Sequence, residues 1–158
     1  MTDAGTRVRP VSAADRDILL EWANDPTTRS NGFTPEAISF EDHGRWFARR
    51  LADPDTRIWI LEGRSGVPVA QVRYERAGGA AEVGISVSRA DRGKGHGTAI
   101  LIATADLAAR ELGVRELVAL VLPDNLASVR IFEKAGYRPA GEAVRNGKRA
   151  LRLERSVG

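Results

Sequence analysis

The chain has 158 residues, 42% hydrophobic and 28% charged, the make-up of one ordinary globular domain with a single core. It contains no cysteine, which excludes a disulfide framework, a thiolate zinc site and a catalytic thiol together. Only His43 and His96 supply imidazole, so no metal site is expected. A formal charge of +3, scattered along the chain, suits a small anionic ligand and not nucleic acid. The start, MTDAGTRVRP, lacks the apolar run of a secretory leader. The most apolar stretch, 98–112, is interrupted by Thr104, Asp106, Arg110 and Glu111 and is too polar to span a membrane. The expected compartment is the cytoplasm.

Residues 6–11 read as a short edge strand. Ser12 then caps a helix carrying Ile18, Leu19 and Trp22, which stops before Asp25-Pro26. Residues 27–38 are rich in turn formers and read as a loop suited to binding. Ser39 opens a second helix, to about Leu51, with Phe40, Phe47 and Leu51 on one stripe, and Asp53-Pro54-Asp55 ends it. Three strands follow, 57–62, 68–76 and 80–88, joined by hairpin-like links at 63–66 and 77–79. A glycine-rich turn, 92–97, leads into a long apolar helix that stops at Gly113. A strand over 115–121 precedes a helix over 125–135, which starts after Asp124 and is closed by Gly136. The last hairpin, 137–145 and 149–154, turns on Asn146-Gly147. The order β-α-α-β-β-β-α-β-α-β-β predicts one α/β (α+β) domain over 1–158, a mixed sheet with helices on both faces.

The turn carries the first functional signal. Glycines 93, 95 and 97 clear side chains from the backbone, and the following helix presents unpaired N–H groups and its positive dipole end to a phosphate. Arg92 and Lys94 add positive charge. A Walker A loop would end Gly-Lys-Ser/Thr, whereas this one ends Gly-His-Gly-Thr; a dinucleotide fingerprint would need a third glycine that is missing. Arg92-x-x-Gly95-x-Gly97 resembles the pyrophosphate signature of the GNAT acetyltransferase superfamily. The stretch from Asn125 through Ser128, Phe132-Glu133-Lys134 and Gly136-Tyr137 is similar to the same superfamily's later motif, and positions 125, 128 and 132 share one helix face.

The resemblance implies a GNAT fold: a mostly antiparallel seven-stranded sheet with about four helices, and acetyl-CoA wedged between splayed strands 80–88 and 115–121. Ile85, Ser86 and Val87 would then meet the pantetheine through their backbone, and the N–H groups of Gly93, Lys94, Gly95, His96, Gly97 and Thr98 the pyrophosphate, with the charge of Arg92 at the mouth. Asn125, Ser128 and Phe132 complete the expected coenzyme site. An amine attacks a thioester only when unprotonated, and amines titrate at about 8–10.4, so a base helps at neutral pH. Alternation puts Glu82, Gly84 and Ser86 on one face and Val83, Ile85 and Val87 on the other. Many GNAT enzymes use a glutamate on this strand through water, and the resemblance carries that role to Glu82. Phe132 stands where many members have a tyrosine proposed to protonate the thiolate, leaving Tyr74, Ser128 or water as the expected proton source.

The amine acceptor is expected to contact the first 75 residues. Trp22, His43 and Trp46 offer an aromatic wall, although Trp22 also suits the core; Asn24 lies nearby, and Arg73, which shares a face with Gln71, can meet a phosphate. Trp-x-Asn-Asp-Pro, His-x-x-Trp-Phe and Gln-Val-Arg resemble nucleotide-sugar amine N-acetyltransferases of pseudaminic acid and coat-polysaccharide pathways. They resemble more loosely the enzymes that acetylate ribosomal-protein N-termini. A non-catalytic acetyl-CoA sensor is the alternative from another class. The expected partner is a small-molecule amine, with a nucleotide sugar as the candidate, and no nucleic acid or membrane; the chain is expected to act as a monomer or homodimer.

Overall fold

Alternation along the strands decides where the core sits. The computed structural model describes residues 5–34 and 36–157; the first four residues of the stretch read for a leader, Pro35 of the turn-rich segment and Gly158 lie outside them. One sheet holds β1 (Arg7–Pro10), β2 (Thr56–Glu62), β3 (Pro68–Ala77), β4 (Ala80–Val87), β5 (Glu116–Val121), β6 (Arg138–Arg145) and β7 (Lys148–Ser156). Their spatial order is β1-β2-β3-β4-β5-β7-β6. Every neighbouring pair is antiparallel except β4 with β5. The expected seven-stranded, mostly antiparallel sheet is therefore present.

Five helices cover it: α1 (Arg16–Ala23), α2 (Pro26–Ser30), α3 (Phe40–Ala52), α4 (His96–Leu112) and α5 (Leu126–Lys134). Trp59 and Leu61 of β2, Val72 and Tyr74 of β3 and Val83 of β4 are buried in one cluster with Ile100, Leu101, Ala105 and Ala108 of α4. Ile60 enters a second cluster with Leu19 and Trp22 of α1 and Phe47 of α3. Adjacent residues of β2 thus feed opposite faces, as the period-two pleat requires. The alanines of α4 let that helix lie close to the sheet, and Gly113 ends it with φ +68°.

Local chemistry explains the departures from the sequence reading. A short 3₁₀ turn, Ala13–Asp15, precedes α1, and the Ser12 N–H donates to the Asp15 carboxylate at 2.8 Å. The Asp25-Pro26 pair that stops α1 also starts α2, because Asp25 accepts from the Thr27 and Thr28 N–H groups and Pro26 fits the first turn. The turn-rich segment therefore begins with a helix. In α3 the buried residues are His43 and Phe47, whereas Phe40 and Leu51 are 51% and 41% exposed. Phe40 lies under the Arg16 guanidinium, 4.4 Å from its ring centroid, a cation–π contact at the surface. The cap of α5 is Asn125, not Asp124. Asn146 and Gly147 turn the last hairpin with φ +51° and +75°.

The tip of that hairpin reaches back to the segment after α2. Asn146 Nδ2 donates to the Phe33 carbonyl at 3.4 Å and to Thr34 Oγ1 at 3.2 Å, and Lys148 Nζ donates to the Gly32 carbonyl at 3.4 Å. The Arg145 guanidinium stands 5.6 Å from the Phe33 ring centroid. Among the described residues no helix is long and apolar enough to cross a membrane.

Candidate active site

β4 and β5 share only three register pairs, ending at Glu82 and Val118. From Val83 to Val87, β4 remains paired with β3, while its other edge has no ladder partner among the described residues. The backbone N–H and C=O of Ile85 and the N–H of Val87, which point to that open edge, therefore have no strand partner there. This is the splay that the family resemblance implies. Beyond the open end of β4, Gly93 and Gly95 adopt φ of +76° and +84°, a region other residues enter only at a cost. Gly95 is the N-cap of α4, and no side chain caps that helix. Its first N–H groups are thus available to an anion. A Cβ built at Gly93 or Gly95 would meet nothing within 4 Å.

Gly97 has a different task. A Cβ there would fall 3.2 Å from two carbons of Ile131 and 3.4 Å from Ile85 Cδ1, so this glycine lets α4 press against α5 and β4. His96 is the first residue of α4, exposed Lys94 pairs with Asp91 at 3.7 Å, and Thr98 Oγ1 donates to the Ile131 carbonyl at 3.5 Å. Gly95→Ala is expected to weaken acetyl-CoA binding about tenfold, because a left-handed alanine costs about 1–2 kcal/mol that the loop relieves by moving. Gly78, in the β3–β4 turn, has φ +66° and equally open surroundings. Gly78→Ala should lose similar stability with no change in the calorimetric dissociation constant; equal weakening by both variants would remove the cradle assignment.

Arg92 does not stand free at the cradle. Its Nε donates to the Val87 carbonyl at 3.2 Å, and its Nη2 donates to Asp25 Oδ1 at 3.0 Å and Thr28 Oγ1 at 3.5 Å. Partial burial pushes the Asp25 carboxyl up, but Arg92 and the Thr28 N–H outweigh it and hold the group below its usual range. Arg92 therefore braces the glycine turn against α2. On α5, the Asn125 side chain accepts from the Ser128 N–H at 3.3 Å as a helix cap. Phe132 is 3% exposed and packs edge-on against Tyr137, with centroids 5.0 Å apart, so its ring belongs to the core. Tyr74 is no proton source for a cleft: it is wholly buried, hydrogen-bonded to Thr104 Oγ1 at 2.6 Å, and burial pushes its hydroxyl up to about 12.

A cavity of about 440 Å³ lies on the other face, between the first three helices and strands β2 to β4. Its lining includes His43, Trp46, Gln71, Arg73, Gly84, Ile85 and Ser86, together with Thr28, Arg29, Ile38 and Asp42. Three of the five expected acceptor residues, His43, Trp46 and Arg73, meet there. Trp22 is instead buried between α1 and α3. Asn24 exchanges two 2.8 Å hydrogen bonds with the backbone of Ile38, so it pins a residue that lines the cavity. Gln71 Nε2 donates to Ser86 Oγ at 2.9 Å.

His43 is 3% exposed, stacked on Phe47 and tilted against Trp46, and its Nδ1 is buried without a hydrogen-bond partner. Burial first, then the Arg16 charge, push the imidazole below its usual 6.5 against a smaller pull from Asp17, so it is neutral at pH 7. Arg73 pairs with Glu75 and lies 5.1 Å from the Trp46 centroid. Glu82 is outside the cavity lining. Both its oxygens accept from the Arg145 guanidinium, beside the point where β4 leaves β5. Sequence reasoning missed Arg29, Asp42 and Ile38, for which no local motif exists, and also the Arg145 pair.

The acetyltransferase (GNAT) domain family matches residues 6–138. The chain is 32% identical over 124 residues to YwnH of Bacillus subtilis (strain 168), which carries the name of a phosphinothricin acetyltransferase; the match covers 72% of this chain and 74% of YwnH. Its fold is similar to that of AAC(6')-Ib in complex with ribostamycin and coenzyme A, with a TM-score of 0.81, 20% identity, and coverage of 96% of this chain and 93% of that one. It is also similar to spermidine N-acetyltransferase from Vibrio cholerae in complex with CoA and spermine, with a TM-score of 0.84, 18% identity, and coverage of 98% and 96%. The expected kinship with nucleotide-sugar enzymes is not what these relatives display. The matched span, the split sheet and the uncapped glycine turn agree: the chain belongs to the acetyltransferase (GNAT) family, an acyltransferase that draws on acetyl-CoA and delivers its acetyl group to nitrogen.

Proposed function

We propose that the acetyl group passes directly to a small primary amine seated in the 440 Å³ cavity. One observation carries this reading: Gly84, Ile85 and Ser86 line the cavity on the stretch of β4 that has parted from β5. The coenzyme cleft and the acceptor cavity therefore share a wall. Bound acetyl-CoA supplies an activated thioester. The chain's own residues hold and orient: free N–H groups at the start of α4 take the diphosphate, and the unpaired edge of β4 takes the pantetheine amides. Glu82, the only carboxylate on β4, takes the amine's proton through water while Arg145 fixes its position. With no cysteine in the sequence, no enzyme thiol carries the acetyl group.

A nucleotide-linked amino sugar and a protein N-terminus are the acceptors suggested by the short motifs. The name carried by YwnH points instead to an amino-acid-like amine. A concave site of about 440 Å³ is of the size that takes a small molecule. Initial rates measured across a panel of primary amines should give intersecting lines when both substrates vary, the pattern of a ternary complex. Parallel lines would mean an acetylated enzyme, and no turnover with any amine would leave only the coenzyme-sensor reading.

A further inference from the structure

Arg29 stands apart from the other charged groups of the acceptor cavity. Arg73 pairs with Glu75, which Arg50 shares, and Asp42, the only carboxylate among the described lining residues, is engaged by Arg45. The imidazole of His43 is neutral. Arg29, in the last turn of α2, donates through Nη1 to the Glu36 carbonyl at 3.0 Å, and its Nε is buried with no hydrogen-bond partner. No carboxylate lies within ion-pair distance of it among the described residues. The nearest candidate along α2, Asp25, is taken by Arg92 and the helix N–H groups. A half-buried guanidinium at a cavity wall, with donors to spare and no carboxylate partner among the described residues, is suited to an anion.

Resting on the acetyltransferase reading above, we infer that the acceptor carries an anionic group in addition to its amine, and that Arg29 is the residue that recognises it. The shared chemistry is a carboxylate, phosphonate or phosphate oxygen pair facing the guanidinium fork. A polycationic amine meets the opposite field: one uncompensated positive charge and no free carboxylate. The amine end then points toward Gly84 and Ser86, and the anionic end toward α2. Arg29 is thus a specificity determinant and takes no part in proton transfer.

The test compares matched acceptors with wild-type protein and Arg29→Gln. The pairs are γ-aminobutyrate against butylamine, aminopropylphosphonate against propylamine, and a nucleotide-linked amino sugar against the free sugar; a linear polyamine serves as the cationic control. Wild type should favour the anionic member of at least one pair by about ten- to a hundredfold in kcat/KM, through KM, as expected for a charged hydrogen bond. Arg29→Gln should erase that preference by raising KM for the anionic member far more than for its neutral partner, and Arg29→Lys should restore part of it. Which pair responds separates a simple amino acid from a nucleotide sugar. Equal use of both members in every pair by wild type overturns the inference without touching the acetyltransferase reading, and needs no variant to fold. Turnover of no amine at all would instead strike the reading beneath it.

Discussion

Glu82→Gln is expected to lower kcat about 10²–10⁴-fold at neutral pH, the usual worth of a positioned base. Coenzyme affinity should be unchanged, because the side chain is paired with Arg145 and does not belong to the glycine turn. Fold stability should hardly move: the two partners are 40% and 38% exposed, and such pairs contribute at most about 1 kcal/mol. The pH profile is the decisive readout. An amine titrating at about 8–10.4 supplies its own neutral form as pH rises, so the variant should regain ground on wild type in alkaline buffer. A variant with wild-type rate and profile would leave Glu82 as a surface ion pair and nothing more.

Phe132→Ala should destabilise the protein by about 3–5 kcal/mol, a large share of the roughly 5–15 kcal/mol that holds a domain together. The ring is almost wholly buried, edge-on to Tyr137 and among residues of the α4 cluster. Its removal leaves a void that a compact interior fills poorly. Phe132→Leu keeps most of the volume and should cost less than about 1.5 kcal/mol. Urea denaturation separates the two. If the leucine variant is stable yet fails to bind acetyl-CoA, the ring is a coenzyme contact after all.

These two residues show what could be seen in the sequence and what could not. Alternation puts Glu82 on the face of Gly84 and Ser86, which line the cavity, while Val83 is buried in the α4 cluster; Glu82 itself stands outside that lining. Its partner Arg145 lies 63 residues away on another strand, and no local pattern announces such a pair. The glycine turn was legible because positive φ at 93 and 95 demands glycine, whatever surrounds it. The resemblance carries Arg92 and Asn125 to the coenzyme; in the structure their side chains brace α2 and cap α5. A polar side chain satisfies whichever neighbour the fold brings near, and sequence does not rank those neighbours. For the same reason His43 was found, as a ring on an inward stripe, while Arg29 was not: it sits on a five-residue helix whose only signal is its cap.

The grip of the last hairpin on residues 32–34 has a consequence for how the protein comes into being. The atoms that meet there are separated by 112 to 116 residues of chain. Contacts of such reach form late and slow the overall reaction. Arg29 and Ile38 flank this tethered segment, so that wall of the cavity is tied down only once the chain has been made through Lys148. A nascent chain that has reached the glycine turn and α4 therefore holds the proposed coenzyme turn before the proposed acceptor wall is tethered.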